Sequence, residues 1–172
     1  MRQQAIGTLI GATGGTAFVL ANAGAPLGSA LTTAARVLAV VLLAAVLVVT
    51  FRQTGKPAAD KATGGFTKGY WFVVLAEVVA LFGGFQVLRA LEAPVQANIA
   101  WIAVVVGIHF VAFVPVWKTW TIAVPGVVMT ILGGIGLAMV WTSAVAWVPI
   151  VSGVLSGLTL LLCGLFFTAR RA

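Results

Sequence analysis

Residues 70–94 read YWFVVLAEVVALFGGFQVLRALEAP, and residues 101–113 read WIAVVVGIHFVAF. From Tyr70 to Leu88 the first stretch carries a single charged side chain, Glu77. About 20 predominantly apolar residues, rising about 1.5 Å each as a helix, cover the hydrocarbon of a bilayer. The apolar run is continuous, with none of the strict polar alternation of a barrel strand. In lipid each backbone N–H and C=O must find its partner inside the segment, so the stretch is a helix.

The same reading extends along the chain. Apolar runs at 5–22, 31–51, 70–91, 98–116, 121–141 and 147–168 each have the length of a membrane span. Of the 172 residues, 62% are hydrophobic and 8% are charged. A soluble domain carries about 25% charged residues, so there is too little charge here to cover a surface facing water. The expected fold is all-α: a polytopic transmembrane bundle of about six spans, forming one domain over 1–172.

Gly14-Gly15, Gly83-Gly84 and Gly133-Gly134 fall in the odd-numbered spans, and each is followed by a turn near Pro26, Pro94 or Pro149. Three successive helical hairpins would give this pattern, although adjacent pairs also arise by chance among 20 glycines.

The formal net charge of +7 suggests nucleic acid only in a soluble chain. Here Lys and Arg sit between apolar runs and no basic stripe interleaves with stacking aromatics, so nucleic acid is not an expected partner. With a cytoplasmic N-terminus, the inner segments hold Arg2, Arg52, Lys56, Lys61, Lys68, Lys118, Arg170 and Arg171, and the outer side holds Arg36 and Arg89. That asymmetry follows the positive-inside rule and predicts that both termini are cytoplasmic. Trp71, Trp117 and Trp120 then fall at the inner boundary, and Trp101, Trp141 and Trp147 at or near the outer one, as interfacial anchors do.

The first span is the most polar. Arg2, a modest apolar stretch and Ala21-Asn22-Ala23 before Gly24 also fit a cleaved signal peptide, which would leave five spans. Residues 52–69, RQTGKPAADKATGGFTKG, read as a cytoplasmic loop able to touch anionic lipid.

Small residues recur at helical spacing: Gly7, Gly11 and Gly15; Ala76, Ala80 and Gly84; Ala103 and Gly107; Gly126, Thr130, Gly134 and Ala138; Gly153 and Gly157 beside Ser152 and Ser156. Close van der Waals approach holds helices together in lipid, and such stripes permit it. They suit packing within one protomer or a seam of a homo-oligomer equally well.

Ionisable residues deep in a span are costly and functional by default. Glu77 lies seven residues in from Tyr70, and His109 lies seven residues before Val116 on the next, antiparallel span. Both are therefore about 10 Å from the inner boundary, on neighbouring helices. A Glu–His contact there could hold or pass a proton, since imidazole changes charge near neutral pH. The competing reading is structural: a protonated Glu bonded to a carbonyl, and a satisfied lone His. Tyr70 and Gly84 share the face of Glu77. Asn98, eleven positions before His109, returns to nearly the same face but nearer the outer side. Glu77, His109, Asn98 and Tyr70 are thus candidate proton or solute contacts. Arg36, Gln86, Arg89 and Glu92 form a looser outer polar cluster, with Arg89 and Glu92 at the i,i+3 spacing of a surface pair.

No HExxH, GxSxG or P-loop occurs. One histidine and three acids do not build the usual zinc or di-metal site. Cys163 is the sole cysteine, inside an apolar run, where a thiol acts as a small hydrophobe. No catalytic residue, metal or cofactor is expected, and catalysis is disfavoured.

The two quoted stretches resemble small uncharacterised multi-pass membrane proteins of bacteria, over spans three and four. The resemblance implies a bacterial inner (plasma) membrane setting and brings no activity with it. Two function classes remain: a small transporter or proton-linked permease using Glu77 and His109, and a non-transporting accessory, sensor or structural subunit.

Overall fold

The structure is a computed structural model that describes residues 3–53 and 67–170. Among these residues there is no strand. The helices are α1 (Gln3–Asn22), α2 (Ser29–Gln53), α3 (Lys68–Ala90), α4 (Gln96–Trp117), α5 (Ala123–Met139) and α6 (Leu155–Ala169). A 3₁₀ turn, Trp120–Ile122, leads into α5; another, Val145–Trp147, and a π turn, Pro149–Val154, lead into α6. With these turns included, six segments are long and apolar enough to cross a membrane. The chain is a multi-pass membrane protein.

Each expected span has its helix, with ends displaced by a few residues. The sixth differs inside as well, because its first turn is π rather than α. There Ser152 donates to the Leu132 carbonyl of α5 at 3.0 Å, and Gly153 sits against Asn22 of α1. The wider turn serves these lateral contacts rather than the straight α register. The basic segment between α2 and α3 lies largely outside the described residues, as do Arg2, Lys56, Lys61 and Arg171.

Bulky apolar side chains point outward along the helices: Phe72 is 73% exposed, Phe82 65% and Val79 63%. Water would make so large an apolar surface untenable; acyl chains make it the expected exterior. The helix crossings are built on small residues instead. α1 crosses α6 where Gly15 meets Gly157: a Cβ on Gly15 would stand 2.8 Å from the Gly157 carbonyl oxygen. Val19, Val46 and Leu161 fill the space around this crossing and are fully buried. α4 and α5 meet along Gly107, Gly126 and Gly133, and a Cβ on Gly133 would lie 2.6 Å from the Val104 nitrogen. Such approach is open only to residues without side chains.

Three small-residue stripes are corrected: on α3, Ala76 is exposed while Ala80 and Gly84 meet Trp101 of α4. On α1 only Gly15 is in close contact, while the space beside Gly7 and Gly11 is open. On α5 the packing face runs Gly126, Thr130, Gly133 and Gly136; Gly134 and Ala138 are exposed. The reason is geometric. Each residue turns the helix by about 100°, so every four-residue step drifts by about 40° and a three-residue step must return the face to its partner. The glycine pairs follow suit: Gly15 and Gly84 are the packed members of the first two, but Gly133 is the packed member of the third. The three hairpins therefore do not use the pairs in one register.

Candidate functional site

α3 is the most peripheral helix, with Leu88 its one buried residue, and it docks on α4 through the short turn that follows it. Glu92 closes α3 in the left-handed region, at φ 51°, and the Glu92 and Ala93 N–H groups return to the Arg89 and Leu88 carbonyls. This αL closure reverses the chain so that α3 and α4 run antiparallel.

The register is held by Trp101. Its indole N–H donates to the Ala80 carbonyl at 3.1 Å. A helical carbonyl already accepts from the N–H four residues on, here Gly84. Because Gly84 has no side chain, that carbonyl is open sideways, and a Cβ at Gly84 would collide with the indole ring. Trp101, expected as an interfacial anchor, is a half-buried wedge between helices. The signal available in the sequence was a glycine at matching depth on the neighbouring span.

In this register Glu77 stands nine residues from the start of α3 and His109 eight residues from the end of α4. Both are about 12–14 Å from the same end of the bundle. His109 Nδ1 lies 2.8 Å from Glu77 Oε2. The side chains keep 15% and 19% of their exposure, respectively. Nδ1 itself is buried and makes no well-aligned hydrogen bond, so the two groups are in close contact without a directed N–H···O bond. It is the one acid–base contact of this kind among the described residues.

An aromatic column adjoins the pair. The His109 ring meets Phe113 edge to face, centroids 4.3 Å apart at 81°. Phe113 stacks on Trp117 at 4.3 Å and on Tyr70 at 5.4 Å. Tyr70 therefore belongs to this site through its ring. His109, Phe113 and Trp117 follow one another at four-residue steps, a spacing visible in the sequence, and Trp117, expected as an interfacial anchor, is part of this stack. The column covers the pair on the side of the α3 start and α4 end, while Phe113 itself is buried.

Other candidates lie elsewhere. Asn98 shares a face with His109 but is eleven residues, or about 16 Å, further along α4. It lines a groove beside the α3–α4 turn with Gln86 and Arg89, away from the pair. Arg36 is remote from that groove: it donates to the Ala23 carbonyl at 2.8 Å and ties α2 to the turn after α1. Arg89 and Glu92 form no ion pair, because Glu92 has left the helical path on which i,i+3 side chains meet. The outer cluster is thus two separate features, with Glu92 in neither. Among the described residues no group of three or more His, Cys, Asp or Glu side chains converges as metal ligands would.

No protein-family model, curated protein or solved structure matches the chain.

Proposed function

We propose that this membrane protein is a small transporter or proton-linked permease in which Glu77 and His109 hold and release a proton within the bilayer. The reading also takes the setting to be a bacterial inner membrane with both termini cytoplasmic. The observation that carries it is the 2.8 Å approach of His109 Nδ1 to Glu77 Oε2 between two membrane-spanning helices. An acid and a base this close bear on each other's charge, and the loss or gain of a proton by either changes the net charge at a place where charge is expensive. Binding of a proton therefore biases how α3 sits on α4. α3 is suited to respond, since it buries little and meets the rest of the bundle mainly along α4.

The test is proton flux into proteoliposomes after an external acid step, read with an entrapped pH dye. Wild-type protein is expected to carry flux above that of empty liposomes, and Glu77→Gln and His109→Ala are each expected to abolish it. Flux equal in all three proteins overturns the assignment of the pair.

A second reading, an accessory or sensor subunit, draws on the exposed flank of α3, where Trp71, Phe72, Leu75 and Phe82 stand together at the periphery. Absence of flux in wild type, with α3 crosslinking in membranes to a second protein, supports that reading.

A further inference from the structure

At the opposite end of α3 from the aromatic column, a groove of about 500 Å³ opens beside the α3–α4 turn. Gln86, Arg89 and Asn98 line it together with Phe85, Leu88 and Val95. Among the described residues none of the three polar side chains has a hydrogen-bond or ion-pair partner within the protein. Glu92, three residues from Arg89, does not neutralise it and is not part of the lining. Arg89 also stands at the end of the bundle from which the basic residues are otherwise depleted. Orientation in the membrane therefore does not account for it.

We propose that this groove binds the phosphate of an anionic phospholipid. A guanidinium presents a planar fork of donors that matches two phosphate oxygens at once. The Gln86 and Asn98 amides supply further N–H donors beside it. Phe85 and Val95 give the acyl chains an apolar wall beside the lipid-facing flank of α3. The last turn of α3 and the first of α4 form the site, which is the depth at which headgroups lie. A groove that joins one free cation and two free amides to an apolar wall, at the edge of the hydrocarbon, fits a lipid better than a soluble anion. The site is independent of the Glu77–His109 pair, so either reading can fail without the other.

The experiment uses the full chain, stripped of lipid in a neutral detergent and followed by native mass spectrometry. It is titrated separately with phosphatidylglycerol, phosphatidylcholine and inorganic phosphate. The expected result is preferential retention of phosphatidylglycerol, weakened about tenfold or more in Arg89→Ala, the scale of one charge-assisted contact. Arg89→Lys, which keeps the charge but loses the fork, is expected to fall between the two, and it guards against a folding defect in the alanine variant. Equal retention of phosphatidylglycerol by wild type and Arg89→Ala overturns the proposal. So does equal retention of phosphatidylcholine and phosphatidylglycerol by wild type, or displacement of phosphatidylglycerol by inorganic phosphate at matching concentration.

Discussion

The Trp101 indole bonds to the carbonyl of Ala80, one turn along α3 from Glu77, and thereby fixes the register in which the carboxylate meets the imidazole of α4. Trp101→Phe keeps most of the ring and loses the donor, so it should cost about 1 kcal/mol. Gly84→Ala drives a methyl into the indole and should cost about 1–3 kcal/mol. Gly83→Ala, with open space beside it, should be neutral or slightly stabilising. Unfolding of the three variants in detergent micelles, followed by circular dichroism, checks the order.

The two members of the ion pair should be energetically coupled. Glu77→Gln and His109→Gln, made singly and together, form a double-mutant cycle. The expected coupling is about 1 kcal/mol, because both side chains keep partial exposure and the contact is not a directed hydrogen bond. Additive losses in the cycle would mean that the two groups are close but independent.

The α4–α5 seam distinguishes adjacent glycines. Gly133→Ala places a methyl against the Val104 backbone and should destabilise by about 1–3 kcal/mol. Gly134→Ala faces open space and should gain up to about 1 kcal/mol from helix propensity. Thermal denaturation in detergent separates them, and equal effects would contradict the assigned face.

Glu92 holds a left-handed backbone that suits glycine. Glu92→Gly removes the Cβ penalty and should stabilise by about 1 kcal/mol. The gain should appear in the same denaturation assay, with no loss of phosphatidylglycerol retention, since Glu92 does not line the groove.

The spans were legible because lipid leaves the backbone few choices: length and apolarity alone give the helices. Glu77 and His109 were legible for a related reason, since intramembrane charges are few and equal depth on a hairpin can be counted. What the sequence hid was rotation. Whether Gly133 or Gly134 faces α4 turns on about 100° about the helix axis, and a stripe read in four-residue steps drifts off that face. The outer position of Asn98 could be counted along α4, but that the antiparallel register sets it beside Gln86 and Arg89 could not. The double use of the Ala80 carbonyl was invisible for the same reason, since it depends on which side chain stands opposite Gly84. The π turn at Pro149–Val154 answers lateral contacts with α5 and α1 that no local pattern encodes.

Infrared difference spectroscopy across an acid step, on protein reconstituted in lipid, reports directly whether the intramembrane carboxyl group exchanges a proton. Wild type should show a carboxyl C=O band that disappears in Glu77→Gln and changes frequency in His109→Gln, because the imidazole stands 2.8 Å from that carboxyl group. Identical difference spectra for all three proteins would contradict the account.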